Sequence, residues 1–220
     1  MPRNAFLDTG VVLAFCFQMD MHHVNCRNYL TDNDHTYFIN DDIEEEYNHK
    51  EAELVERYSS GILRHVSEIK RSDYEGQLDS MDMSQIRRNF LDTSNPAYRF
   101  LTRYYANELP NFILVSELEE QLRSLAREIE EMALFRKDEF DGLVYHWEQQ
   151  GDAGDLETEL AAIHSADRDV CIAAHDLAAH RTGETELATT NPRDFVDDGH
   201  RDMILEHTAL DDVVSLAVRS

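Results

Sequence analysis

Three short stretches, far apart in the chain, place aspartates where apolar sequence gives way. They are Phe6-Leu7-Asp8-Thr9, the pair Asp167 and Asp169 ahead of Val170-Cys171-Ile172-Ala173-Ala174, and Thr189-Thr190-Asn191-Pro192-Arg193-Asp194-Phe195. If these stretches converge, their carboxylates repel one another and resist ionisation unless a divalent cation sits among them. The chemistry open to such a cluster is metal-assisted hydrolysis. A bound cation activates water and neutralises charge on phosphoryl oxygens, which makes the chain a candidate metal-dependent nuclease.

Each acid also has an ordinary structural use. Asp8 can cap a helix that starts after Thr9. Asp167 and Asp169 fall in the first turn of a helix, where negative charge suits the dipole. The same holds for the run Glu44-Glu45-Glu46, and Asp194 can be a solvated loop acid before a core Phe195. The elements must therefore decide. Residues 4–8 read as a strand and residues 9–31 as helix-prone. Thr36 to Ile39 is a second strand, after which Asn40 and Asp41 or Asp42 offer helix-capping chemistry. The next helix carries Ile43, Tyr47, Leu54, Val55, Tyr58, Ile62, Val66 and Ile69 at steps mostly of three and four. Ile43 and Tyr47 then face the core, and Glu46, beside Tyr47, reaches toward the sheet, with Glu45 as the alternate.

Further along, Ser72 to Ser84 reads as a loop or weak helix, and Ser94-Asn95-Pro96 is a break. Asn111 to Val115 is a short apolar run, helix or strand. Ser116 to Glu119 offers a capping box to a helix bearing Leu118, Leu122, Leu125, Ile129 and Met132. Ser165 can cap a helix over 166–179 whose small residues let it pack close to a sheet. Leu187 to Thr190 is a strand, and Met203 to His207 is expected as the last one. Strands alternating with helices predict an α/β fold with a parallel sheet. Its ligand crevice then lies beyond the carboxyl ends of the strands, where Asp8 and Asp194 would fall.

Composition bounds the class. The chain has 220 residues, enough for a sizeable core. No apolar run approaches the roughly 18–20 residues of a membrane span. Three cysteines without CxxC spacing point to a reduced, cytoplasmic protein. The net charge is −25, from 45 acids against 20 bases, and only Lys50, Lys70 and Lys137 are lysines. With 42% hydrophobic residues in periodic patterns, this is not a disordered chain. It resembles haloarchaeal proteins, whose acidic surfaces suit molar salt, where screening acts over about 3 Å. No basic stripe announces nucleic acid, and at such salt none could contribute much.

Taken together, the blocks resemble the PIN-domain nucleases, which include the VapC-type toxins of toxin–antitoxin pairs. The resemblance rests on Leu7-Asp8-Thr9 at a strand end, Glu46-Tyr47 on an early helix, Asp169 to Ala174 as Asp-x-x-Ile-Ala-Ala, and Thr189 to Phe195 as Thr-x-Asn-x-x-Asp-Phe. It covers residues 4–60 and 155–210 and implies a three-layer α/β/α fold around a central parallel sheet, one PIN-like domain over residues 1–220. The chain departs from the pattern in a mostly helical insertion at 71–150. The resemblance also implies that Asp8, Glu46, Asp169 and Asp194, with Glu45 and Asp167 as alternates, surround one or two Mg²⁺ or Mn²⁺ ions. The reaction implied is hydrolysis of RNA to 5′-phosphate and 3′-hydroxyl ends. An antitoxin protein and a homodimer are the partners it admits, and a catalytically silent interaction module is the other function. Thr189 and Asn191 either orient an acid or water or satisfy backbone. A second, superficial likeness, of Leu7-Asp8-Thr9-Gly10 to the nucleophile loop of haloacid-dehalogenase-type phosphohydrolases, fails because Gly10 stands where a second aspartate is required.

Other reactive residues read as structural. The eleven histidines show no metal-ligand spacing. Cys171 falls on an apolar helix face. Tyr98, Phe100, Tyr104 and Tyr105 can stack bases, but they recur near helical spacing, which reads as packing.

Overall fold

Phe6 and Leu7 lie in strand β1 (Arg3–Leu7), whose last four residues are all buried. A computed structural model describes residues 3–31, 35–152 and 154–218. After β1 come helices α1 (Thr9–Cys16) and α2 (His23–Leu30), strand β2 (His35–Ile39) and the long helix α3 (Asp41–Lys70). The middle of the chain holds β3 (Gln77–Asp79), α4 (Ser80–Phe90), α5 (Tyr98–Asn107), β4 (Phe112–Leu114) and α6 (Val115–Asp141). Then follow β5 (Val144–His146), α7 (Leu156–Glu159), α8 (Ser165–His180), β6 (Thr185–Thr189), α9 (Pro192–Phe195), α10 (His200–His207) and β7 (Asp212–Ser215).

The chain divides into two compact units. The first comprises Met1–Phe17, Met21–His49 and Arg136–Ser220. It is an α/β unit built on a five-stranded sheet in the order β5-β2-β1-β6-β7, and every neighbouring pair is parallel. A parallel strand at the centre of a sheet is buried on both faces, which is why Ala5, Phe6 and Leu7 follow one another in β1 without alternation. Helix α8 packs on β1 and β6 through its small residues, with Cys171, Ala173, Ala174 and Leu177 buried. Asn40 starts α3 by accepting a hydrogen bond from the Ile43 N–H, and Ile43 and Tyr47 are buried as their spacing predicts.

The second unit comprises Gln18–Asp20 and Lys50–Phe135. Ile62, Val66 and Ile69 of α3 and Leu118, Leu122 and Ile129 of α6 are buried there. The strands β3 and β4 form an antiparallel two-stranded ribbon. Asp79 and Asp82 make a reciprocal capping box that starts α4. Asn95, in the expected break, donates to the Gly61 carbonyl of α3 and accepts from the Ala97 N–H. A side chain at Gly61 would meet Asn95 Oδ1 at 2.7 Å, so the close approach requires glycine.

Four local expectations are corrected. Met203–His207 is the end of helix α10, not a strand, and β7 is the last strand. Gly199, with φ 85°, ends the preceding turn and launches α10; a short apolar run does not distinguish helix from strand. Residues 77–79 form β3, and helix α4 starts at Ser80. The start of α6 is capped by Glu117, which accepts from the Leu114 N–H, so Ser116 lies inside the helix. Ser165 is the first helical residue of α8 rather than its cap. Relative to the expected insertion at 71–150, the second unit also includes residues 50–70, whereas residues 136–150 belong to the first unit. Helices α3 and α6 run unbroken through these boundaries, so no change in periodicity marks them. No described helix is long and apolar enough to cross a membrane.

Candidate active site

Asp8 follows the last residue of β1, and its N–H donates to the Ala188 carbonyl of β6, extending the ladder by one step. The residue occupies the N-cap position of α1, but its carboxylate makes no full capping hydrogen bond. It accepts instead from the Thr189 hydroxyl, at 2.9 Å. Thr189 Oγ1 in turn accepts from the Asn191 N–H at 2.9 Å, and Asn191 Nδ2 donates to Asp194 Oδ2 at 2.7 Å. Thr189 thus orients an acid and satisfies backbone at once, and a continuous hydrogen-bonded path joins Asp8 to Asp194. Gly10 makes this close packing feasible. A side chain there would reach 2.2 Å from Thr190 Oγ1 and 3.3 Å from Asp8 Oδ2.

Glu46 enters from α3. Thr9, the residue after Asp8, donates its hydroxyl to Glu46 Oε2 at 2.5 Å. The charges of Glu46 and Asp167 both act on Asp8. Asp8 is 7% exposed, and its carboxyl is pushed up to about 6, chiefly by burial. The Asp167 and Glu46 carboxylates add to that rise, whereas the Thr189 hydroxyl and, least, the Gly10 N–H oppose it. An ionised Asp8 is thus held in a place that disfavours its charge.

Asp169 is exposed on α8. It lines, with Glu46, Asn40, Asp42, Gln149 and Glu157, a cavity of about 410 Å³. Two residues apart on a helix, Asp167 and Asp169 point to different sides. The side of Asp167 is shared with Cys171, whose thiol is raised by burial and by the charges of Asp167 and Asp8. The alternate Asp167 is therefore the α8 acid coupled to Asp8, and Asp169 meets Glu46 across the cavity. Glu45 is exposed. Among the described residues, no three His, Cys, Asp or Glu side chains are grouped closely enough to hold a metal ion as they stand. The donor chemistry nonetheless fits a hard divalent cation. The set is all carboxylate oxygen, and its buried member is destabilised by two like charges that a cation would offset.

Gln149 and Glu157 lie in a loop and a short helix that carry no motif, so no pattern in the sequence singles them out. The same holds for Asp176 on α8. That carboxylate is buried and accepts from Trp147 Nε1, the Gln150 N–H and the Gly151 N–H, each at 2.8 Å. Burial pushes it up, but these hydrogen bonds and His180 outweigh burial and hold it below its ordinary value. Asp176 thereby fixes the 147–151 loop that carries Gln149 to the cavity.

No family model, curated protein or solved structure matches this chain.

Proposed function

We propose that the chain is a metal-dependent ribonuclease with a PIN-like, three-layer α/β/α first unit. The observation that carries this reading is the buried Asp8 at the carboxyl end of β1. It is raised by Asp167 and Glu46 and linked through Thr189 and Asn191 to Asp194. Asp8, Glu46, Asp169 and Asp194, with Asp167 beside Asp8, would hold Mg²⁺ or Mn²⁺. The cation would supply an activated water and charge neutralisation at the phosphoryl oxygens. The chain's own residues do the rest. Thr189 and Asn191 orient Asp8 and Asp194, Thr9 orients Glu46, and Asp176 holds the loop bearing Gln149. The reaction is attack of water on an RNA phosphodiester, leaving 5′-phosphate and 3′-hydroxyl ends. A small antitoxin protein, a second copy of the chain and a cytoplasmic setting belong to the same proposal.

The test is cleavage of single-stranded RNA in molar KCl with Mn²⁺ or Mg²⁺, against a chelator control. Asp8→Asn is expected to lower the rate roughly a hundredfold or more, since even the partners of metal ligands cost about 10–100-fold when removed. Equal rates for wild type and variant would overturn the assignment. They would favour the second reading, a catalytically silent PIN-like module acting through its helical unit. That reading draws on the exposed Met81, Phe112 and Leu114 of the second unit and on the absence of a closed trio of acids among the described residues.

A further inference from the structure

The charge of the chain poses a problem for an RNA enzyme. At −25 it repels a phosphate backbone, and in molar salt counterion release contributes little to binding. Affinity must then come from contacts that salt does not screen. Stacking of bases on aromatic side chains is the main one, and it tolerates any sequence because every base has a π-face.

The second unit holds a cavity of about 350 Å³ suited to this, within the range of small-molecule sites. Phe100 and Tyr104 of α5 line it with near-parallel rings, centroids 6.2 Å apart and planes 22° apart. Tyr104 is held in orientation by its hydroxyl, which donates to Gln121 Oε1 at 3.0 Å. Leu125 of α6 adds an apolar side. Arg103, Asn107 and Glu108 are exposed and supply donors and acceptors at the rim. Arg103 donates to the Gln18 carbonyl at 3.1 Å, which fixes its position. Of the four aromatics in this segment, Tyr105 is committed elsewhere, since its hydroxyl bonds buried His65. Phe100 and Tyr104 are the two that line this cavity.

We infer that this cavity binds an unpaired nucleobase of single-stranded RNA. The base stacks on the Phe100–Tyr104 pair, the rim groups meet its hydrogen-bonding edge, and the Arg103 guanidinium serves an adjoining phosphate. The inference rests on RNA being the substrate, but it concerns binding alone and needs no metal.

The experiment uses the full chain in molar KCl with chelator, so that no RNA is cut. A labelled single-stranded oligoribonucleotide carrying 4-thiouridine is titrated by fluorescence anisotropy, then photocrosslinked and mapped by mass spectrometry. Crosslinks are expected in the peptide bearing Phe100 and Tyr104. Tyr104→Leu and the cavity-filling Leu125→Trp are each expected to weaken binding about tenfold or more. Circular dichroism identifies any variant that fails to fold, and the two variants perturb the cavity in opposite ways. Binding that neither folded variant weakens, crosslinks confined to other peptides, or no RNA binding at all would overturn the inference. Crosslinking here without cleavage under Mn²⁺ would leave the inference standing and remove the nuclease reading. Cleavage with an unchanged KM in both variants would do the reverse.

Discussion

Asp8 sits buried at the carboxyl end of β1, where the Thr189 hydroxyl donates to it and the charges of Asp167 and Glu46 act on it. Its place at a strand end was legible from Phe6-Leu7-Asp8-Thr9, because an apolar run entering a polar residue marks where a buried strand stops. The choice between Asp167 and Asp169 was not legible. It depends on the rotation of α8 about its own axis, which small-residue packing sets and which a family pattern alone assigned to Asp169. The physical consequence can be measured. Burial above all pushes the Asp8 carboxyl from the free group's 3.8 up to about 6 in the fold. The folded state therefore holds a proton that the unfolded chain has lost in that window. The resulting stabilisation is full below about pH 4 and is lost as pH rises through 6. In chelator at pH 8, Asp8→Asn is expected to be more stable than wild type by about 1–3 kcal/mol, the difference shrinking toward pH 4. Thermal melting across pH checks this. Mn²⁺ should raise the wild-type melting temperature and leave the variant unmoved. A variant that melts lower at pH 8 would mean that Asp8 carries no such burden.

At the scale of elements, the long periodic helices and the strands β1, β2 and β6 were readable, and β3, β5, β7 and α10 were not. The three-residue strand β5 shows no alternation to detect, since pairing with β2 is what makes it a strand. Helix α10 looked like a strand because its apolar run is short, and only the left-handed Gly199 before it announces a helix. The loop after β5 depends on a contact that no local pattern reveals, the Asp176 carboxylate receiving donors from 147–151. Asp176→Asn replaces one acceptor oxygen with an amide that faces donors. A loss of about 2–4 kcal/mol is expected, read by urea unfolding. Trp147, the only tryptophan, should shift its emission as its indole N–H loses its partner. An unchanged spectrum with unchanged stability would show that the loop is held by other means.

At the scale of the whole molecule, composition speaks where topology is silent. With 45 acids against 20 bases, self-repulsion dominates in dilute buffer. Raising KCl from 0.1 M to 1 M shortens the screening length from about 10 Å to about 3 Å, so the unfolding midpoint should rise steadily over that range. A flat or falling midpoint would remove salt adaptation as the reason for the charge. The arrangement of the sheet has a different consequence, for synthesis. Strand β1 lies between β2 and β6, and its Asn4 pairs with Thr185 across a separation of 181 residues. At about 5–20 residues per second, a ribosome makes β1 roughly 10 to 40 s before it makes β6. Through that interval one edge of β1 has no strand to pair with, and Asp8 waits for Thr189 and Asp194. The second unit, drawn largely from a continuous stretch, is translated in full before β6. The proposed site is therefore completed only after nearly all the strands have been translated.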